Sequence, residues 1–443
     1  MNKSTLALSV TLAIILANQA TAAGFIEDSK ATLTLRNFYI DQNNKNTTNS
    51  NNETREWGQG FLFNYQSGFT AGTVGFGLDA IALVGIKLDS GGDDSTPRSR
   101  APGALFPKER DGSAVDNYGK AGVTAKARIS KTELRIGTLQ PKLPVINFND
   151  GRLLPQTFEG AQITSAEIDG LTLTFGQLES TKTRSSTDDI ALRIGGADSF
   201  LGKPADSNTF IFAGGDYKIT KDLTAQYYYG SLEDFYKQHF LGLTHNLALP
   251  VGALKTDLRY FNSGADGKNN SDAGRSEGYK SSGYWKAGDR HAGEVDNTTW
   301  SALFTYSLSG HAISAGYQQV SSGSAFPFVS QGDGATAYLI TDRQIGKFAS
   351  AGERTWLAEY GYDFANAGIP GLKATVTYLS GSNIDATASD RKEWERDLRL
   401  DYTLQDGALK GLGFSWRNAS FRSNAATDLD ENRFIVSYSL PLL

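Results

Sequence analysis

Short segments that alternate apolar and polar residues recur along this chain, and arginine returns on the polar side of many of them. Residues 254–260 read LKTDLRY and residues 398–402 read LRLDY. Because successive side chains of a β-strand point to opposite faces, each segment has one apolar, aromatic-ended face and one charged face. A soluble sheet buries the apolar face in a core, whereas a membrane barrel turns it to lipid and lines a wet lumen with the charges. The choice between these two arrangements decides the function.

The first residues have the composition of a secretory signal. Lys3 lies in a short basic start, an apolar run follows over about residues 6–17, and small residues occupy positions 20–23. This order of segments is typical of a signal peptide and is too short for a membrane-spanning helix. We therefore expect a signal peptide over residues 1–22, cleaved after Ala22 or Ala23, and a mature chain over residues 23–443.

The composition of the mature chain favours one β-rich domain. No later apolar stretch approaches the roughly 18 residues that a spanning helix needs. The chain has 48 glycines, 11% aromatic residues and no cysteine, so disulfides cannot stabilise it. Its length suggests two or three domains, but no Pro-rich or Ser-rich linker divides it. The net charge of −5 argues against nucleic acid as a partner.

The strand pattern predicts an all-β, transmembrane, antiparallel β-barrel. Many apolar stripes end in Tyr, Trp or Phe, which favour the headgroup level of a bilayer. Short turn signals such as residues 169–170 alternate with long polar stretches such as residues 262–297. This asymmetry is typical of bacterial outer-membrane barrels, and counting the segments gives about eighteen strands. Closure of the barrel is expected because lipid cannot satisfy the polar groups of an open sheet edge.

One long connection differs from the others. Residues 140–160 are more apolar than the other loops and include Leu143, Val145, Ile146, Phe148, Leu153 and Leu154. A loop exposed to water seldom carries so much apolar surface. We therefore expect this loop to fold into the barrel and to narrow it.

Several motifs resemble the OprD-type porins of pseudomonads, also called outer-membrane carboxylate channels. They are GFIEDSK at residues 24–30, WGQGF at 57–61, QPKLP at 140–144, GRLLPQTFEG at 151–160, YKQHFLGLTH at 236–245 and KTDLRYF at 255–261. The resemblance spans the mature chain and is closer to the OprE-like K branch than to the D branch. It implies an 18-stranded barrel with one pore per chain that takes up small carboxylates. Assembly into a homotrimer is compatible with the resemblance but is not decided by it.

The resemblance also implies how such a pore selects its solute. In these channels the third and seventh loops form a narrow eyelet, and a ladder of arginines and lysines guides the anion. The corresponding loops here are residues 140–160 and residues 321–353. The implied partners are small carboxylate solutes, such as amino acids and aromatic or other organic acids, together with outer-membrane lipid and lipopolysaccharide. No cofactor, metal or catalytic residue is expected.

The faces of the strands provide candidates for the ladder. A row of fixed cations in a narrow tunnel concentrates anions, and the planar fork of arginine suits both oxygens of a carboxylate. Basic residues in the inward phase are Arg36, Lys126, Arg128, Arg135, Arg259, Arg399, Arg417 and Arg433. Arg152 joins them from the loop of residues 140–160, beside Asp150.

Structural pairing is the alternative for any single wall arginine. Acids in the inward phase are Asp79, Glu133, Asp257, Glu359, Asp397 and Asp401. For Arg152 the functional interpretation is favoured because it lies in the narrowing loop, whereas Arg433 is expected near the end of its strand and to matter less.

Two other functions stay open at this point: a general, weakly selective porin and, less favoured, an outer-membrane barrel hydrolase. His239 and His245 share the face of Leu241 and Leu243, which favours interfacial packing over catalysis. The glycines of the GFG motif at residues 75–77 are interpreted as small lumenal residues, not as a nucleotide site, because alternation continues to Lys87 without a helix. The sequence does not identify the transported acid.

Overall fold

The computed structural model describes residues 24–45, 52–90, 103–195, 205–281, 291–321, 323–329, 336–385 and 391–443. The expected signal peptide and its cleavage site lie outside these residues, as do parts of the loop over residues 321–353. Within the described chain no helix has the length and apolarity needed to cross a membrane, a finding that does not bear on crossing by strands.

Eighteen long strands of the described chain form one antiparallel sheet. They are β1 (Lys30–Lys45), β2 (Glu53–Gln66), β3 (Gly75–Asp89), β4 (Asn117–Ile129), β5 (Thr132–Leu139), β6 (Thr157–Ser165), β7 (Leu171–Lys182), β8 (Phe210–Lys218), β9 (Leu223–Leu232), β10 (Tyr236–Ala248), β11 (Ala253–Ala265), β12 (Asp296–Leu308), β13 (His311–Val320), β14 (Arg354–Asp363), β15 (Leu372–Ile384), β16 (Arg391–Thr403), β17 (Gly413–Ser423) and β18 (Asp428–Pro441). A two-residue strand, Ile190–Ala191, also pairs with β7.

The sheet closes on itself through its first and last strands. Each strand pairs with its neighbours in sequence, and β1 pairs with β2 on one side and with β18 on the other, from Thr32 opposite Pro441 to Lys45 opposite Asp428. Closure leaves no unpaired sheet edge, which is the condition for a sheet in lipid. The prediction of a closed barrel of about eighteen strands is therefore confirmed.

The outer face of the barrel carries the apolar stripes of the sequence. Phe76 is 59% exposed, Val123 is 55% exposed and Trp356 is 66% exposed, although all three lie within strands. Soluble proteins rarely leave such continuous apolar surface uncovered, whereas lipid solvates it. The alternating pattern thus turns its apolar side outward, as expected for a membrane barrel.

The two ends of the barrel differ in the length of their connections. At one end β4 joins β5 and β12 joins β13 through two residues each. Ser130, Ser309 and Gly310 in these turns have φ of 53°, 48° and 86°, and positive φ is what tight hairpin turns require. Long loops at the other end contain short elements, among them the helix α1 (Asp272–Ser276) and the hairpin of Lys142–Leu143 with Ile146–Asn147.

Two of the long loops fold into the lumen and build an apolar core there. We call residues 140–156 loop L3 and residues 321–353 loop L7. L3 crosses the barrel, because Val145 and Ile146 pack in a buried cluster with Phe210 and Phe240 of β8 and β10, while its other end packs against β1–β3. That second cluster contains Leu153, Leu154, Phe38, Ile40, Leu62 and Leu83.

L7 shares the first cluster and reaches a third. Phe326 of L7 is buried with L3 beside β11, and Phe348 packs with Leu357, Leu379 and Phe421 on the opposite wall. A cavity of only about 10 Å³ separates L3 from L7, roughly the volume that one water needs. The inward face is therefore not uniformly polar, and the two loops fill part of the lumen with protein.

Small residues on the wall let L3 approach closely. A Cβ at Gly58 would lie 2.6 Å from the Phe106 ring and 2.8 Å from Leu153, and a Cβ at Gly60 would lie 3.2 Å from Leu153. Leu153 is fully buried as a result. The glycines of β2 thus fix the position of the loop that carries Asp150 and Arg152.

Candidate functional site

Three arginines lie side by side on the inner wall where β16, β17 and β18 run together. The register places Arg399 directly opposite Arg417 and Arg417 directly opposite Arg433. Side chains of directly opposed residues start about 4.5–5.5 Å apart, and like charges in such positions are destabilising. Three neighbouring cations are therefore not what stability alone would select. We call them the arginine row.

The two outer members of the arginine row are neutralised on their own strands. Arg399 Nε donates to Asp401 Oδ2 at 2.6 Å, and Arg433 Nη2 lies 2.6 Å from Glu431 Oε1. The acid is two residues away in each case, which puts it on the same face of the strand. Arg417 differs, because in the described part of the chain it forms no ion pair and its Nε donates to Ser415 Oγ at 3.2 Å.

Loop L3 brings a further arginine and an acid to this wall. Arg36 of β1 donates from Nη1 to Asp150 Oδ1 at 2.7 Å and from Nη2 to Asp150 Oδ2 at 3.2 Å. It also donates to the Arg152 carbonyl at 2.9 Å. Arg152 Nη2 lies 3.7 Å from Glu431 Oε2, next to Arg433. The structure thus brings four further charged groups to the wall of the arginine row, namely Arg36 of β1, Glu431 of β18, and Asp150 and Arg152 of L3.

A second basic group lies on β4 and β5. Lys126 is buried, with Nζ 2.6 Å from Asp79 Oδ1 and 3.0 Å from the Ser67 carbonyl. Arg135 Nε donates to Glu133 Oε1 at 2.5 Å. Lys126 and Arg135 therefore have structural partners.

Arg128 is the exception in this second group. The structure gives it no ion pair among the described residues, and its guanidinium carbon lies 4.0 Å from the centre of the Phe69 ring. Such stacking holds the guanidinium in place without neutralising it.

Arg259 is held apart from both groups by loop L7. It donates to both oxygens of Asp257, at 3.0 Å from Nε and 2.7 Å from Nη2, and to the Tyr338 carbonyl at 3.2 Å. Its guanidinium carbon also lies 4.0 Å from the centre of the Tyr338 ring. This arrangement fits an anchor for L7 better than a mobile binding group.

The structure therefore divides the candidates without assigning their roles. Arg36, Arg152, Arg399, Arg417, Arg433 and Asp150 come together on one wall, Lys126, Arg128 and Arg135 on another, and Arg259 lies under L7. The expectation that Arg433 lies near the end of its strand is wrong, because it is the sixth residue of β18 and is buried, donating to the Gln344 carbonyl of L7 at 3.2 Å.

Sequence reasoning missed the acids that hold the loops in the lumen. Glu395 of β16 accepts the backbone N–H groups of Gln344, Ile345 and Gly346 at 3.3, 3.0 and 2.5 Å. Its burial is complete. A carboxylate with three backbone donors acts as a clamp on the tip of L7.

Glu56 of β2 makes the same kind of clamp on another loop. It accepts the N–H groups of Gly103, Ala104 and Leu105 at 3.2, 2.7 and 2.6 Å. Both acids stand in the inward phase of their strands. That phase was the signal that could have identified them.

One acid within L7 has an unusual environment. Asp342 accepts the Ala337 N–H at 2.7 Å. Burial raises the pKa of Asp342, although the nearby Lys347 cation opposes the rise. The tip of L7 therefore depends on buried carboxylates both within the loop and on the wall.

His239 of the outer face packs among tyrosines, as the sequence indicated. His239 Nδ1 lies 2.9 Å from the Tyr227 hydroxyl, and its ring is tilted against that of Tyr229, with ring centroids 5.1 Å apart. His311 lies 2.8 Å from the Tyr360 hydroxyl. Imidazole and phenol rings of this kind suit the bilayer interface.

Comparison with known proteins agrees with this architecture. Residues 23–442 match the family model described as outer membrane porin, OprD family. The chain is 37% identical over 437 residues to the porin-like protein GalP of Pseudomonas putida, which covers 98% of this chain and 97% of GalP.

Solved structures show the same likeness. The crystal structure of Pseudomonas aeruginosa OccK8 (OprE) has a TM-score of 0.88 and 57% identity, and the match covers 95% of this chain and 100% of OccK8. Pseudomonas aeruginosa OpdK, crystallised with vanillate, has a TM-score of 0.82 and 36% identity over 94% of this chain and 100% of OpdK. The match to the family model and to these relatives runs through nearly the whole chain, so the protein belongs to the OprD family of outer-membrane porins.

Proposed function

We propose that this protein is a selective, passive diffusion channel for small anions that bear a carboxylate. The observation that carries the proposal is the arginine row, in which Arg417 lies between Arg399 and Arg433 and has no acid partner among the described residues. A carboxylate that enters the lumen relieves the repulsion among these cations. The guanidinium fork can bind both of its oxygens.

The acids beside the row make each site weak, which transport requires. Asp401 already binds Arg399, so a passing anion competes with a fixed carboxylate at this exposed position, whereas Arg433 and Glu431 are buried and contribute only their field. A solute that meets several weak sites can move from one to the next without being trapped. The alternation of paired and unpaired arginines therefore supports passage of the solute.

The loops restrict where this exchange takes place. L3 and L7 fill the lumen beside β8–β11 with an apolar core, and L3 is bound to Arg36 through Asp150. An anion is thus directed toward the opposite wall, where a narrow, low-dielectric path strengthens the field of the arginines.

The related channel OpdK supports a carboxylate as the solute class. It was crystallised with vanillate, a small aromatic acid with one carboxylate. The inner wall here offers the chemistry that such an acid needs. The particular acid depends on the shape of the path that the loops leave beside the arginine row.

A planar lipid bilayer tests the proposal. Reversal potential is measured in a KCl gradient, and block of the current is then titrated with benzoate. We expect anion preference and a block that R417Q weakens about tenfold, the factor that corresponds to about 1.4 kcal/mol. R399Q is the matched control and should change the block less, because Asp401 already offsets its charge.

Two results would reject the carboxylate assignment. The first is cation preference without block by benzoate. The second is a large conductance that carboxylates do not change, which would indicate a general porin. Equal effects of R417Q and R399Q on the block by benzoate would show that the difference in acid partners does not determine the binding of the carboxylate.

A further inference from the structure

The outer face of the barrel carries an arginine that has polar but no acidic partners among the described residues. Arg396 of β16 is exposed on the same face as Trp394 and Leu400, whereas Glu395 and Asp397 on the other face are buried. In the described part of the chain Arg396 forms no ion pair. Its guanidinium instead donates from Nη2 to Asn418 Oδ1 at 3.1 Å and to Ser420 Oγ at 3.2 Å.

Arg396 lies at the depth of the lipid layer. It is directly opposite Tyr378, whose ring stacks on Trp394 with centroids 6.0 Å apart. Arg396 lies seven residues from the end of β16 at Thr403, which is about 18 Å for a strand that rises 3.3 Å per residue and tilts about 40°. The apolar band of such barrels is about 25 Å tall, so Arg396 lies in its upper part, where an isolated cation is destabilising.

The residues around Arg396 form a polar island in the apolar wall. Asn418 Nδ2 donates to Asn432 Oδ1 at 2.9 Å on the next strand. All of these side chains are in the outward phase of β16, β17 and β18. The island therefore offers amide and guanidinium donors to the lipid side. The acid that adjoins it, Asp430, is directly opposite Ser420 and is already bound by Arg422.

Neighbouring acids on the outer face are already occupied. Asp430 lies 2.7 Å from Arg422, and Asp41 lies 3.3 Å from Arg55. A second copy of this barrel would therefore have to bring its own free carboxylate into the bilayer to neutralise Arg396. A lipid phosphate needs no such rearrangement, since the lipid headgroup already carries it.

We propose that this island binds a phosphate of an outer-leaflet lipid, namely the phosphorylated sugar headgroup of lipopolysaccharide. Arg396 supplies the charge, and the long aliphatic stem of the side chain lets the guanidinium reach up to the headgroup level. Asn418, Asn432 and Ser420 orient it. Trp394 and Tyr378 lie beside it, where rings with polar tips favour the interface.

Native mass spectrometry of the full mature barrel, released from detergent micelles, tests the site. The probe is lipid A with both phosphates, compared with lipid A from which the phosphates have been removed. R396Q should reduce binding of the phosphorylated lipid about tenfold, because losing one charged hydrogen bond of about 1.4 kcal/mol raises the dissociation constant by that factor. It should leave binding of the dephosphorylated lipid unchanged.

R417Q is the matched control, because Arg417 precedes Asn418 on β17 and faces the lumen. It should leave binding of lipid A unchanged, whereas R396Q should leave the single-channel conductance unchanged. Equal binding of phosphorylated lipid A to R396Q and to the native protein would overturn the proposal. An equal loss of binding of phosphorylated and dephosphorylated lipid A in R396Q would also overturn it. A change in oligomeric mass without a change in lipid binding would overturn it as well, and would indicate that the island is a contact between copies of the chain.

Discussion

The clamp formed by Glu395 makes a sharp prediction about the constriction. Its Oε1 accepts the N–H groups of Gln344 and Ile345, and its Oε2 accepts that of Gly346. E395Q replaces one acceptor by an NH₂ group that faces an N–H donor, and it removes the charge that strengthens the remaining bonds. The tip of L7 should therefore leave the wall more often.

The size of the effect follows from these bonds. A hydrogen bond to a charged group contributes about 1.5–3 kcal/mol, and neutral bonds are roughly half as strong. With the lower value of this range, losing one charged bond and halving the strength of the other two gives a total of about 3 kcal/mol. That energy corresponds to a factor of about 100 in the equilibrium between the bound and detached tip.

Hydrogen exchange of the backbone amides measures this directly, since exchange tracks local opening. E395Q should speed exchange at residues 344–346 about a hundredfold and leave residues 103–105 unchanged. E56Q is the matched control and should do the reverse, because Glu56 clamps residues 103–105. Unchanged exchange at residues 344–346 in E395Q, or equal acceleration of both loops in either variant, would refute the clamp.

Of three further predictions, two concern the lumen and the third concerns a turn. D150N should raise the anion preference in reversal-potential measurements, because it frees the guanidinium of Arg36 that Asp150 now binds at 2.7 Å; unchanged preference would show that Arg36 does not face the path. L153A should cost about 2–5 kcal/mol and lower the unfolding temperature on heated gels, whereas V84A on the lipid face should not, since Leu153 is fully buried and Val84 is exposed. Hydrogen bonds from two hydroxyls and a backbone N–H lower the pKa of Glu167. The stabilisation of the turn by this carboxylate should therefore be fully present above the ordinary pKa of glutamate and be lost only as the pH falls through the lowered pKa. An NMR titration that gave Glu167 an ordinary pKa would contradict this prediction.

Much of the architecture could be predicted from local patterns. The direction of a side chain in a strand follows from its parity alone, so outward stripes such as those of Val123 and Trp356 were evident in the sequence. The inward phase of Arg36, Arg399 and Arg417 came from the same rule. Turn and loop lengths then indicated a barrel with two unlike ends.

The partners of these side chains could not be predicted in the same way. Arg36 meets Asp150, 114 positions away, only because L3 crosses the lumen to β1. Arg399, Arg417 and Arg433 become neighbours through the register of three strands, which depends on pairing along their whole length. The apolar inward residues Phe38, Leu62 and Phe240 were equally hidden, since parity predicts a lumenal position but not the loop that covers it.

The sequence by itself determined which side of each strand meets lipid, because that property depends only on backbone geometry and alternation within a few residues. The closed structure decided which cations keep an acid and which do not, because ion pairing depends on atoms brought within a few ångströms by distant segments. Arg417 in the lumen and Arg396 on the lipid face illustrate the difference. Each has a face that parity assigns, and each has no carboxylate partner in the part of the chain that the structure describes, which only the packing of neighbouring strands reveals.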